Sequence, residues 1–490
     1  MRIRSILGAL VIAALPFTSV WAENMTPEDI KKLVDEAVTK RLQEHERRES
    51  PMERALEKKE SQPGAVQYPS PTGAITDIRV ERQGEEKMQL GFGSTGSGKL
   101  IYAKPFLSAP KATIGGYADV MYNNLSRQNL DNPSRHSFGQ QRLVPFIYAD
   151  ITEHVKFAAE LEFERGGTNA AQTGDGSMTI EFAQIDYLVN ETINTRAGIL
   201  LMPVGKFNLL HDSPLNDLVD RPMVSRIIIP STWFEAGAGI YGTLYPSSLS
   251  KLDYEVYAVN GMSQQAGGTG SITDAGVRNA RGSVSRDRDD NKAVVGRVAF
   301  SPMLGIEVAG SGYHSTYKPS AGAVGTGRIS IFALDWTLQR GPFEIIGESA
   351  WSRISNNDAT GVAGSGIGPA GMQGYYIQGN YHFMPEFLKK LAPSHFTDAS
   401  TFTVVVRWEQ VDTDTDDRTR TTANTFGNRR ELERLTLGLN FRPIEDTVFK
   451  FDWQFNTQKN AQGLVNAGDL GNANSPINGN GFLIQAATYF

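Results

Sequence analysis

Gly481-Phe482-Leu483-Ile484-Gln485-Ala486-Ala487-Thr488-Tyr489-Phe490 ends the chain without a charged side chain. Read at a period of two, Phe482, Ile484, Ala486 and Phe490 share one face with Thr488, and Leu483, Gln485, Ala487 and Tyr489 share the other. In a soluble sheet, a hydrophobic strand at the end of a chain risks leaving an unpaired edge. A closed barrel removes the edge by pairing its last strand with its first, and strands cross lipid only as closed barrels. An ordinary terminal strand of a soluble sheet fits these residues as well, so the preceding segments must separate the two.

The same alternation recurs upstream. Val155, Phe157, Ala159, Leu161 and Phe163 alternate with Lys156, Ala158, Glu160, Glu162 and Glu164. Tyr375, Ile377, Gly379, Tyr381 and Phe383, then Leu435, Leu437, Leu439 and Phe441, then Phe449, Phe451, Trp453 and Phe455, alternate with charged, amide or small residues. Lipid outside and water inside would produce this pattern, and so would a soluble sandwich. The loop rhythm decides between them. Asn190-Glu191-Thr192, Ser301-Pro302-Met303, Gln339-Arg340-Gly341-Pro342 and Pro443-Ile444-Glu445-Asp446 read as short turns. Between them lie long polar segments near 123–136, 166–176, 262–291, 314–326, 354–371, 412–428 and 457–480. Short turns at one rim and long loops at the other mark an outer-membrane barrel. Candidate strands fall near 113–122, 138–151, 154–165, 178–189, 194–201, 233–245, 252–260 and 292–301. Others fall near 304–313, 327–338, 343–353, 372–383, 401–411, 431–442, 447–456 and 481–490. The expectation is an all-β, transmembrane antiparallel β-barrel over 113–490, with about sixteen strands to within about two. Its last strand should pair with Thr113–Tyr122.

The N-terminal part has a different character. Met1–Ala22 reads as a signal peptide, with Arg2 and Arg4, an apolar core from Ile6 to Phe17, and Val20-Trp21-Ala22 at the cleavage site. Residues 23–60 read as a charged helical segment in the periplasm. Thr26-Pro27-Glu28-Asp29 starts it, and Ile30, Leu33, Val34, Ala37, Val38 and Leu42 give it a narrow apolar stripe. It could pair with its own copies as a coiled coil, which suits a trimer, or stay a solvated helix. Residues 61–112 read as a Pro/Gly-rich linker. Gly91-Phe92-Gly93-Ser94-Thr95-Gly96 lacks the Gly-Lys-Ser/Thr ending of a phosphate loop.

Composition agrees with a barrel. The 490 residues include 49 Gly and are 9% aromatic. A mean hydropathy of −0.31 suits strands that hide one apolar residue in two. With no Cys, neither a disulfide nor a thiolate metal site is available. The formal charge is −6, and −8 without Arg2 and Arg4. That speaks against a nucleic-acid partner and gives no support to a strongly anion-attracting surface.

The segment Met202–Thr232 breaks the rhythm. It carries Lys206, His211, Asp212, Asp217, Asp220, Arg221 and Arg226, with Ile227-Ile228-Ile229 before Pro230. Apolar residues in a long loop need a surface to pack on. In a wide barrel the loop can fold inward and narrow the pore, the alternative being a surface loop with a trimer contact. Facing it on the wall, the alternation puts the bases Lys156, Arg297, Arg407, Arg434 and Arg442 and the acids Glu160, Glu162 and Glu409. Lys450, Glu164, Glu255, Glu307, Glu348 and Asp452 join them. This mixture predicts a transverse field across the pore. Arg278, Arg281, Arg286 and Arg288 could steer anions at the mouth, bind lipopolysaccharide phosphates, or pair with Asp287, Asp289 and Asp290.

From Ile114 to Phe490 the chain resembles the phosphate-selective porin O and P family. The resemblance rests on Gly115-Gly116-Tyr117-Ala118-Asp119, on Glu160-Leu161-Glu162-Phe163-Glu164 before a Gly-rich loop, and on Gln184-Ile185-Asp186-Tyr187. It also rests on Gly341-Pro342-Phe343-Glu344 before Gly347-Glu348, and on the closing Tyr489-Phe490. It implies a porin-like homotrimer of sixteen-stranded barrels with inward loops. The best-known members concentrate anions with lumenal Arg and Lys. The acids named above depart from that pattern, so phosphate selectivity is not carried over and the choice between anion and cation stays open. The ending also resembles the terminal strand of bacterial outer-membrane proteins, whose final Phe, here Phe490, is part of the signal read by the assembly machinery.

No other chemistry competes. Asp412-Thr413-Asp414-Thr415-Asp416-Asp417 begins like a calcium loop, but Asp417 replaces the turn Gly and Ala423 the twelfth-position Glu. An acidic solvated loop fits better. The seven His are scattered, and no nucleophile motif lies beside Lys206, His211 and Asp212, so no catalytic residue, metal or cofactor is assigned. The expected function is a passive porin of the bacterial outer membrane for ions and small hydrophilic solutes, phosphate and other anions among them. It would contact lipids and lipopolysaccharide. The alternatives are a barrel sheath around an electron-carrying partner, an envelope tether working through Thr26–Glu60, and a barrel hydrolase.

Overall fold

The computed structural model describes residues 112–125, 135–165, 176–263, 272, 276–281, 284, 290–318, 326–355, 369–416, 431–459 and 477–490. The expected signal peptide, charged helical segment and linker up to residue 111 lie outside the described residues, as do Arg286, Arg288 and the calcium-like loop beyond Asp416.

The described residues form sixteen strands. They are β1 (Ala112–Leu125), β2 (Arg135–Asp150), β3 (Val155–Glu164), β4 (Ser177–Leu188), β5 (Asn194–Leu201), β6 (Phe234–Leu244), β7 (Lys251–Asn260) and β8 (Lys292–Met303). Then come β9 (Ile306–Tyr317), β10 (Gly327–Arg340), β11 (Phe343–Ser355), β12 (Gly371–Phe383), β13 (Thr401–Asp412), β14 (Glu431–Ile444), β15 (Thr447–Lys459) and β16 (Ile477–Tyr489). Each pairs with the next, and β16 pairs with β1 to close the barrel. All pairings are antiparallel. No edge is left open, which is what a backbone in lipid requires.

Burial inverts the logic of a soluble protein, and this removes the sandwich reading. On β15, Phe449, Phe451, Trp453 and Phe455 are 50%, 41%, 39% and 40% exposed, whereas Lys450, Asp452 and Gln454 are 2%, 0% and 0% exposed. The apolar face points out and the charged face in. Aromatic side chains collect at both rims, as interfacial girdles do. Phe343, Tyr381, Phe383, Phe402 and Phe441 stack along the short-turn rim, with Phe402 and Phe441 4.7 Å apart. Tyr122, Phe138, Phe482 and Trp453 do the same toward the other.

Two details correct the sequence reading, and a third adds to it. Strand β8 runs on to Met303 and β9 begins at Ile306, so Ser301-Pro302-Met303 is a strand end. The turn is Leu304-Gly305, with Gly305 at φ 86°. Proline is tolerated there because the register shifts between Phe300 and Met303. Second, β16 pairs with β1 as expected, but over Tyr117–Leu125, a range that overlaps Thr113–Tyr122 only from Tyr117 on. Barrel closure staggers neighbouring strands, so the start of β1 is left to pair with β2 alone. Third, the connection 384–400 on the short-turn side holds a helix, Glu386–Leu391.

The closing seam is tight. Phe490 N donates to Gly116 O at 2.9 Å, and Gly116 N donates to Phe490 O at 3.1 Å. A Cβ on Gly116 would sit 2.3 Å from Val144 O and 2.9 Å from the Phe490 ring, so only glycine allows this approach.

Candidate functional site

Residues 202–233, between β5 and β6, turn into the barrel. Met202 N donates to Trp233 O at 2.9 Å and closes the neck. The Asn208 amide then bridges both sides, donating to Met202 O and Trp233 O and accepting from Trp233 N at 2.8, 3.0 and 2.9 Å. A single helical turn, α1 (Val224–Ile227), follows. Val224, Ile227, Ile228, Ile229 and Trp233 pack with Met262, Ile272 and Val277 against lumen-facing Tyr313, Ile331, Ile354 and Tyr376. The Ile triplet thus finds its surface inside the barrel, on an apolar patch of the inner wall. Burying that many large side chains, at about 1.5–3 kcal/mol each, favours the docked loop.

Polar anchors fix the rest of the loop. Buried backbone donors need acceptors, and wall carboxylates supply them. Phe207 N donates to Glu348 at 3.1 Å, Met223 N to Glu409 at 3.1 Å and Val219 N to Asp452 at 2.6 Å. Wall bases take loop carbonyls. Lys450 Nζ donates to Ser213 O at 2.6 Å, Arg407 to Asp220 O at 2.8 Å and Arg442 to Pro214 O at 2.8 Å. Asp220 accepts from Arg434 at 2.7 Å and Arg226 at 3.1 Å. Burial pushes its carboxyl up, but Arg226, Arg434 and Arg407 outweigh burial and pull it down to about 2.

The loop packs toward β7–β14 and leaves a cavity of about 550 Å³ beside β1–β4, β15 and β16. Six cationic side chains line it: Arg142, Arg221, Arg226, Arg278, Arg281 and Lys450. Glu162, Glu164 and Asp220 are its carboxylates. A 3-10 turn, Arg278–Ala280, docks on the inward loop through Val277 N and Ile227 O at 3.0 Å. Arg278 donates to Ser231 O, and Arg281 to Pro230 O at 3.2 Å. Burial, then the neighbouring arginines, pull both guanidinium groups below the usual arginine range. They stay charged at neutral pH.

Beside the cavity is an acidic corner. His211 is buried, with Nδ1 2.9 Å from Asn208 O and Nε2 2.7 Å from Glu181 Oε2. The carboxyl of Glu181 lies against those of Glu160 and Glu162. Asp212 accepts from the Tyr489 hydroxyl at 2.8 Å. Arg142 is held by Asp119 at 2.6 Å and lies 3.7 Å from Glu162.

The residues singled out from sequence therefore divide. Glu162, His211, Asp220, Arg221 and Arg226 line the cavity. Arg407, Glu409, Arg434 and Arg442 anchor the loop, and Asp217 joins them through Asn380 at 2.7 Å and Arg442 at 3.5 Å. Lys206 is tied to Glu307 at 3.0 Å and Thr337 at 2.9 Å. Arg297 pairs with Asp335 within the wall, and Lys156 pairs with Asp150 at the short-turn rim, 2.9 Å away. Neither reaches the cavity lining. Glu160 and Asp212 sit in the acidic corner. Sequence reasoning missed Asp119, Arg142 and Glu181, and left Arg278 and Arg281 at the mouth. Glu181 is the extra residue of a β-bulge, because β3 pairs Glu160 with Phe182 and Leu161 with Ile180.

Comparison with known proteins agrees with this architecture. A protein of Aquifex aeolicus (strain VF5), described as uncharacterized, is 30% identical over 284 residues, covering 56% of this chain and 62% of its own length. The Salmonella typhi OmpF complex with daunomycin is 11% identical, with a TM-score of 0.51 over 79% of this chain and 99% of that one. The anion-selective porin from Comamonas acidovorans is 12% identical, with a TM-score of 0.48 over 78% of this chain and 99% of that one. At 11% identity the OmpF structure speaks for the fold alone. The family model of phosphate-selective porin O and P matches residues 113–463, most of the barrel, and the chain belongs to that family of bacterial outer-membrane porins.

Proposed function

We propose that the barrel is a passive channel for ions and small hydrophilic solutes, that the inward loop forms its constriction, and that the constriction prefers anions. The cavity lining carries this reading: six cationic side chains face three carboxylates. Asp220 is committed to Arg434 and Arg226, and Arg142 to Asp119. Among the described residues, Arg221, Arg278 and Arg281 are in no direct ion pair and face the solute, with Glu162, Glu164 and Glu181 as the nearby carboxylates. Glu162 and Glu164, on β3, keep a transverse component that orients a dipolar solute.

Reversal potentials in a KCl gradient across a planar bilayer test the preference. The wild-type channel should favour chloride, and Arg278→Ala with Arg281→Ala should move the reversal potential toward potassium. A cation-preferring wild type, or a double variant with an unchanged potential, refutes it. No conductance from folded protein points to the sheath alternative. The same reading makes the chain a homotrimer in contact with lipids and lipopolysaccharide, inserted by the assembly machinery that reads Phe490, with its N-terminal segment in the periplasm. Particle mass by light scattering in detergent checks the trimer, which a monomer would contradict.

A further inference from the structure

We propose that Glu160, His211 and Asp212 form a site for one divalent transition-metal ion of the zinc class, which rivets the inward loop to the barrel wall. One ligand atom from each lies within 4.8 Å of the others. The three come from two separate elements: Glu160 from β3, and His211 and Asp212 from the loop.

Two further observations point to a cation there. Glu160 is 3% exposed, and apart from the neighbouring Glu181 carboxyl its Oε1 has no hydrogen-bond partner. Glu181, 0% exposed and lying against it, has an unpartnered Oε1 as well. Orphaned carboxylate oxygens at such depth are costly unless a cation meets them. The local charge is also unbalanced. Glu160, Glu162, Glu181 and Asp212 crowd this corner around His211, while Arg142 is already bound to Asp119 and the other nearby cations, Arg221 and Arg281, make no ion pair with the four carboxylates.

The supporting contacts match those of a metal ligand set. A ligating histidine usually passes its other ring N–H to a carbonyl, which fixes the tautomer. Here His211 Nδ1 faces Asn208 O at 2.9 Å, and Nε2 faces the carboxylates. Asp212 is oriented by the Tyr489 hydroxyl of β16, and Glu181, which holds His211 Nε2 at 2.7 Å, would yield that nitrogen to the ion and become a fourth ligand. One imidazole with carboxylates suits zinc-like ions, whereas calcium and magnesium take oxygen alone. Such an ion, holding its donors at about 2.0–2.2 Å, draws the three side chains together by small rotations.

The test uses full-length protein folded in detergent and stripped with EDTA. Titration with ZnCl₂ by calorimetry should give one ion per chain, and CoCl₂ should give the visible bands of a low-coordinate cobalt site. Glu160→Gln and Asp212→Asn should each weaken zinc binding at least tenfold, since even outer-shell substitutions cost about 10–100-fold. Asp416→Asn, in the other acidic loop, should leave it unchanged. The proposal fails if folded wild-type protein binds neither ion stoichiometrically, which would mean that the buried carboxyls hold protons only. It fails equally if binding survives both substitutions or is lost in Asp416→Asn. The cobalt spectrum of the wild type stands even if a variant does not fold.

Discussion

Asp220→Asn keeps a side chain's shape and removes the charge that pins the inward loop. That charge faces Arg434 at 2.7 Å and Arg226 at 3.1 Å, and the carboxylate also accepts from Gln454 at 3.3 Å. The Arg434 side chain is 1% exposed and that of Asp220 14%, and unpairing a buried ion pair costs about 3–5 kcal/mol. Two facts place the loss at the low end. Glu409 lies 3.7 Å from Arg434 and still neutralises part of its charge. The pair with Arg226, whose side chain is 25% exposed, is partly screened and adds little. About 3 kcal/mol corresponds to roughly a hundredfold rise in the undocked loop population. No strand pairing involves Asp220, so the barrel should stay closed. Single-channel recording in planar bilayers should show added current noise or a larger mean conductance. The wild type should reach the same state with acid. Its carboxyl, held at about 2, lies below the free value of about 3.9. A carboxyl held low stabilises the docked loop fully above its free value, and that contribution fades as pH falls from about 4 to about 2. The reasoning is refuted if folded Asp220→Asn shows wild-type conductance and noise at neutral pH.

The closing seam gives the remaining predictions. Gly116→Val puts a Cβ 2.3 Å from Val144 O, an overpacking cost of about 1–3 kcal/mol or more. It should lower the fraction of heat-modifiable folded barrel on gels, and a wild-type fraction would contradict the steric argument. Deleting Phe490 removes two backbone bonds to Gly116, together about 1–3 kcal/mol, and the ring packed over it. Membrane yield should fall while the channels that do assemble keep wild-type conductance. Normal yield would show that the role given to Phe490 is too large.

How much of this could be read from sequence follows from the physics of each part. Period-2 alternation is local, so the strands of β15 and β16 announce themselves, and so does the even strand count. The inward loop was legible for a similar reason: Ile227-Ile228-Ile229 needs a surface to pack on, and the structure supplies it inside the barrel. What alternation cannot carry is any residue placed by an irregularity. Ser177–Leu188 carries two phases, with Met178 and Ile180 pointing out and then Ile185 and Tyr187, so no single alternation places Glu181, and the bulge that joins the phases is visible only in the pairing with β3. The pairs that pin the loop are also invisible. Asp220 and Arg434 are 214 positions apart, and sequence lists wall charges without saying which are free. Arg407, Arg434 and Arg442 looked like a pore surface and are anchors, whereas Arg278 and Arg281 looked like a mouth and reach the cavity. The strand charges are therefore largely spent on holding the loop, whereas four of the six cations that line the cavity, Arg221, Arg226, Arg278 and Arg281, are brought inside by loops.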